Sequence, residues 1–282
     1  MRKIDRVIDS HMAPVGTFSV RRALPDHTRK SVGPWVFLDH FGPFRVTPGK
    51  DGVGPHPHAG IETVTYLFSG KNRHRDSAGH VGIVGAGGAQ WMTSGRGIIH
   101  AEAPLADNEA EMTMHGIQLW TTLPRALKQM PPRYQRIDAS AIPEIAIAGG
   151  NVRVVAGEYD SRKGPAENLM PLLLWHVSLE AGGRFHAQVP AGFELAAYLI
   201  SGSAAFGDQR ATIGQLAIFE DAGGDIEFCN TGDAPLDVLL LGGAPAEGPL
   251  VFHGPFVMNS VEQVRQAERA YHSGQMGTLA EN

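Results

Sequence analysis

The chain has 282 residues, 43% of them hydrophobic and 19% charged, with a formal net charge of -5. That length allows two domains of ~100–200 residues, and the composition supplies a core rather than a disordered chain. One cysteine, Cys229, excludes an internal disulfide framework and a thiolate zinc site, and the acidic balance argues against a general nucleic-acid partner.

The N-terminus, Met1-Arg2-Lys3-Ile4-Asp5-Arg6, carries no apolar leader, and no run of about 18 apolar residues follows. A cytoplasmic protein outside the membrane is the expectation. Gly at 35 and Pro at 19 favour many short strands over long helices. In chain order, short apolar runs occur at Trp35–Leu38, Thr63–Phe68, Ile117–Trp120, Val152–Val155, Leu172–Val177, Leu195–Ile200 and Val238–Leu241. Their lengths and Gly/Pro/Asp flanks suit strands. One helix is expected near 260–272. Ser260 and Gln263 form a capping-box pattern, with Val261, Val264 and Ala267 on one face.

Glu62-Thr-Val-Thr-Tyr-Leu-Phe-Ser-Gly70 matches Glu194-Leu-Ala-Ala-Tyr-Leu-Ile-Ser-Gly202 at five of nine positions, at an offset of 132 residues. That offset is the length of a β-domain, so the chain reads as two copies of one β-fold. The division is expected at 1–145 and 146–282, with the helix in the second part. The halves differ in charge. The first holds 17 Lys+Arg and 13 Asp+Glu, the second 7 and 16. Nine of the 13 histidines lie in the first.

The chemistry concentrates in Gly54-Pro-His56-Pro-His58-Ala-Gly-Ile-Glu62 and in His100-Ala-Glu102. In an extended strand His56, His58 and Glu62 share one parity and point to one side. A second strand bringing His100 and Glu102 to the same point gives imidazoles and a carboxylate without thiolate. That donor set suits iron, nickel, copper or manganese. His40 reads as a buried, satisfied histidine, and His74, His80 and His115 lack matched spacing.

These residues resemble the pirin family of cupins. The likeness is carried by Val32-Gly-Pro-Trp-Val-Phe-Leu-Asp-His-Phe-Gly-Pro43, Pro55-His-Pro-His-Ala-Gly-Ile-Glu-Thr-Val-Thr-Tyr66 and Gln90-Trp-Met-Thr-Ser-Gly-Arg-Gly-Ile-Ile-His-Ala-Glu102. Gln118-Leu-Trp120, Pro131-Pro-Arg-Tyr-Gln135 and Gly254-Pro-Phe-Val-Met-Asn259 add to it. The resemblance implies an all-β bicupin, two tandem β-sandwich barrels with a short C-terminal helix. It also implies one divalent metal, iron first, held by His56, His58, His100 and Glu102 in the N-terminal barrel. The C-terminal barrel lacks the ligands, because His56 and His58 align with Gln188 and Pro190 while Glu62 aligns with Glu194. A glutamate kept where the histidines are gone need not be a ligand, so Glu62 is expected beside the site or at the cavity mouth, where it could orient a histidine.

The implied activity is that of a quercetin 2,3-dioxygenase, opening a flavonol ring with dioxygen. Glu102, or else Glu62, would take the substrate's proton. The alternative is a non-enzymatic, iron-containing regulator whose oxidation state sets its affinity for a protein partner. The same ligands serve both.

Overall fold

A computed structural model describes residues 1–46, 52–105, 112–221 and 223–280. All seven apolar runs lie in strands, and each of those strands belongs to one of two seven-stranded sheets. One seven-stranded sheet runs, in spatial order, Arg133–Ile137, Ala89–Thr93, Ile61–Ser69, Met112–Thr122, Trp35–Val46, Phe18–Leu24 and His11–Val15. Its companion is a four-stranded sheet ordered Val53–His58, Ile98–Pro104, Lys71–Asp76 and Val81–Gly85.

A second pair of sheets repeats this order. Ile4–Asp9, Gln215–Phe219, Glu194–Ser201, Leu236–Gly243, Leu172–Leu179, Gly150–Ala156 and Glu144–Ile147 form the large sheet. Arg184–Ala187, Ile226–Asn230, Ser203–Phe206 and Gln209–Thr212 form the small one. The matched segments therefore occupy equivalent central strands. Each ends on a glycine with positive φ, Gly70 at 89° and Gly202 at 75°, which a side-chain-bearing residue rarely adopts. The chain is a bicupin: all-β, two cupin barrels and one short helix.

The compact units do not follow a single cut in the chain. One comprises residues 1–11, 21–38 and 140–246; the other comprises 12–20, 39–139 and 247–282. The C-terminal segment thus packs with the histidine-bearing barrel, whereas the sequence division had grouped it with the second half. A buried apolar cluster of Ala59, Phe256, Met258, Val264, Ala267 and Met276 holds it there. The helix spans Val261–His272. Ser260 accepts from the Gln263 amide at 3.2 Å, and Gln263 Oε1 accepts from the amide of Asn259 rather than of Ser260 itself, at 2.9 Å. Val264 and Ala267 are buried, but Val261 lies exposed in the first turn, so the apolar face is shorter than its spacing predicts.

Candidate metal centre

Val53–His58 pairs antiparallel with Ile98–Pro104, and the register sets His100 opposite His56 and Ile98 opposite His58. His56, His58 and His100 each offer a ring nitrogen, and these nitrogens lie within 4.8 Å of one another. His58 and His100 are buried and His56 is partly open. The ring centroids stand 4.4 to 5.0 Å apart.

Proton placement follows from the partners. His56 Nδ1 is 2.8 Å from the Gly54 carbonyl, and His58 Nδ1 is 3.1 Å from the Pro255 carbonyl. A carbonyl only accepts, so both Nδ1 atoms carry the proton and both Nε2 atoms are bare. From the other side, His74 Nε2 lies 3.1 Å from the Asp76 carboxylate and His74 Nδ1 lies 3.5 Å from His100 Nδ1. With Nε2–H donated to Asp76, His74 Nδ1 can accept from His100 Nδ1, the arrangement that leaves His100 Nε2 bare as well. His100 Nε2 and His56 Nε2 face each other at 3.0 Å. Bare lone pairs at that distance repel unless a cation lies between them. A proton is disfavoured in this role. Burial, then neighbouring His56, lowers His58 to about 3, and burial followed by the histidine neighbours lowers His100 well below its ordinary value. Convergent neutral imidazoles that resist protonation fit a transition-metal ion.

Glu102, expected as the fourth ligand, lies outside the 4.8 Å set. It sits two residues beyond His100 on the same strand, and its Oε1 accepts from Thr65 at 2.8 Å, from Asn72 at 3.0 Å and from Gln90. Thr65 Oγ1 also lies 2.6 Å from Gln118 Oε1, so its single hydroxyl proton is shared between Gln118 and Glu102. This polar cluster spans both sheets of the barrel, and Trp120 meets His58 edge to face at 4.9 Å.

The expectation for Glu62 is corrected by the fold. The strand holding His56 and His58 ends at His58, and a turn at Gly60, φ 78°, starts a new strand in the other sheet. Parity does not carry across that turn. On Ile61–Ser69, Thr65 points to Glu102, so Glu62, of opposite parity, points to the sheet's other face. There it is buried beside its register partners, with Thr93 donating at 2.7 Å and Thr121 at 3.2 Å. Burial raises its pKa above the ordinary carboxylate value. It is neither at the cavity mouth nor a partner of a histidine.

Sequence reasoning missed His74 and Asp76. Both are buried, and Tyr134 stacks on His74 at 4.4 Å. Asp76 also accepts from the His80 ring and from the amides of Ala78 and His80. The signal was an alternation: in Lys71–Asp76 the buried parity carries Asn72, His74 and Asp76, polar residues where a barrel interior expects apolar ones. His40 is buried as expected and faces His115 at 2.7 Å between Nε2 atoms. Among the described residues no helix is long and apolar enough to cross a membrane.

The comparisons agree with this architecture. The pirin family profile matches residues 17–121, and the pirin C-terminal cupin domain profile matches residues 174–277. A pirin-like protein of Caulobacter vibrioides is 35% identical over 278 residues, covering 97% of this chain and 94% of its own. Pirin of Mus musculus is 34% identical over 264 residues, covering 92% and 88%. A crystal structure of quercetin 2,3-dioxygenase from Acinetobacter baumannii superposes with a TM-score of 0.91 at 33% identity, covering 99% of this chain and all of that one. The chain belongs to the pirin family.

Proposed function

We propose that this chain is a metal-dependent oxidoreductase of the quercetin 2,3-dioxygenase type, opening a flavonol ring with dioxygen. The observation that carries the reading is the convergence of three bare imidazole nitrogens inside a polar barrel. Its likeness to a quercetin 2,3-dioxygenase over nearly the whole chain supplies the substrate class. His56, His58 and His100 would hold the metal, with Glu102 as the fourth ligand after its side chain turns from the Thr65–Asn72–Gln90 cluster. A nitrogen and oxygen set without thiolate suits iron, nickel, copper or manganese, and among these iron is the metal that the family resemblance implies. When bound, the metal supplies Lewis acidity toward the substrate's hydroxyl.

The chain's own residues do the rest. The Glu102 carboxylate receives the hydroxyl proton once it has turned to the metal; before that, Thr65, Asn72 and Gln90 hold its Oε1. Trp120 gives the flat substrate an aromatic wall beside His58. Glu62 takes no part, because it lies on the other face of the sheet.

The test is turnover of quercetin by purified, iron-loaded protein, followed by loss of flavonol absorbance and release of carbon monoxide. Glu102→Gln should keep most of its metal and lose ~100–10,000-fold in rate, the scale of a missing general base. The neutral amide in Glu102→Gln leaves more positive charge at the metal, which favours hydroxyl ionisation, so metal acidity alone predicts no loss. Metal-loaded wild type that turns over no flavonol, yet binds a protein partner with redox-dependent affinity, would favour the regulator instead.

A further inference from the structure

Lys128 is fully buried, and all its donors are used. Its ammonium donates to the Gly60 carbonyl at 2.9 Å, to Thr122 Oγ1 at 2.8 Å and to the Val257 carbonyl at 2.7 Å. None of these acceptors is charged. Burial lowers the Lys128 pKa to about 7 against the opposing pull of Glu247. A buried cation without a hydrogen-bonded carboxylate is costly, and an apolar side chain of similar volume would avoid that cost.

What the cation joins accounts for it. Gly60 lies two residues after His58, and Val257 lies two residues after Pro255. Pro255 supplies the carbonyl that receives the His58 Nδ1 proton, from 197 residues away in sequence. Besides Lys128, the two segments meet through the Val257 amide on the Ala59 carbonyl at 3.2 Å and the Ala59–Phe256 bridge. Gly60 fits this junction because a Cβ there would run into the Val257 carbonyl. A compact ammonium suits three oxygens converging from different directions, whereas a planar guanidinium does not.

We propose that Lys128 is a positioning residue that locks the C-terminal strand to the turn after His58, so that the Pro255 carbonyl holds His58 with its Nε2 turned to His56 and His100. The inference rests on the reading of the three histidines as a metal site. It makes the last part of the chain a component of that site. Loss of the ammonium frees two backbone carbonyls and lets the Pro255 carbonyl drift from His58, which then samples both tautomers.

The test uses the full-length, metal-free protein and its Lys128→Met and Thr122→Val variants. Long-range 1H–15N correlation reads the tautomer of each histidine, and His56, fixed locally by Gly54, serves as the internal control. Wild type should show His58 as the Nδ1–H form. Lys128→Met should show a tautomer mixture at His58 with His56 unchanged. Cobalt(II) titration followed by d–d absorption should give ~10–100-fold weaker binding, the scale of an outer-shell partner. Thr122→Val, which removes one acceptor at nearly constant volume, should shift both readouts less and in the same direction, and it carries the test if Lys128→Met does not fold. A folded Lys128→Met, or in its place Thr122→Val, with wild-type His58 tautomer and wild-type cobalt affinity overturns the proposal. If wild type binds no cobalt while the His58 tautomer still responds to Lys128, the metal reading fails and the positioning role stands.

Discussion

The two barrels share one strand order but are filled with opposite chemistry. At the repeat offset of 132 residues, Thr65, Asn72 and His74 correspond to Ala197, Ala204 and Phe206. Register extends the match. Gln90 and Gln118 both pair with Thr65, while Ala217 and Leu240 both pair with Ala197. Glu102 pairs with His74, and its counterpart Phe228 meets Phe206 ring to ring at 5.3 Å. Six polar positions of one barrel are thus apolar in the other, and all six apolar residues belong to one buried core with Trp175 and Phe185. The fold tolerates either filling because the ladder satisfies the backbone without help from interior side chains. The interior side chains decide whether a barrel is a site or a packed core.

The largest expected effect follows at once. His100→Ala should abolish most metal binding, a greater loss than the ~10–100-fold of an outer-shell change, while Phe228→Ala leaves metal binding untouched. Phe228→Ala should in turn cost about 3–5 kcal/mol of stability, the usual range for a buried phenylalanine, measured by denaturant unfolding. A drop in metal affinity from Phe228→Ala would show that the second barrel is not a passive core.

Acid should separate the barrels next. In the metal-free protein His58 is held down to about 3 and His100 well below its ordinary value, so below pH 6.5 the unfolded chain binds protons the folded one refuses. Stability therefore falls as pH drops below 6.5, down to about 3 for His58, and His100 adds a loss in the same direction. In the second barrel burial pushes Asp237 up, but His176, Ser178 and Ser201 outweigh it and hold the carboxyl at about 2. Its contribution is present above the unfolded value of 3.8 and is lost progressively as pH falls from there through about 2. Unfolding curves between pH 7 and 4 should flatten in His58→Gln and keep their slope in Asp237→Asn. An unchanged slope in His58→Gln would contradict the neutral, buried histidine. The smallest effect is expected from Glu62→Gln, whose metal affinity should equal wild type because the residue lies on the sheet's other face. A ligand-sized loss would return Glu62 to the site.

The strands and the histidines were legible in the sequence because both are local signals. Apolar runs of four to six residues fix strands, and His56-x-His58 sits within one short strand of its own. Glu62 was misplaced because a parity argument fails at a turn, and Gly60 marks that turn. His74 and Asp76 were readable from the polar alternation Asn72-x-His74-x-Asp76, which only gains meaning once the strand's inner face is known. The hold of Pro255 on His58 and the burial of Lys128 were not readable, because they join segments far apart in the chain. No spacing rule reaches across such distances.

Metal stoichiometry of the full-length chain tests the central claim most directly. Elemental analysis after loading and desalting should give one equivalent of metal per chain in wild type and in Phe228→Ala, and close to none in the His56→Ala/His100→Ala double variant. Two equivalents in wild type, or one equivalent surviving in the double variant, would contradict the assignment of the site to the first barrel.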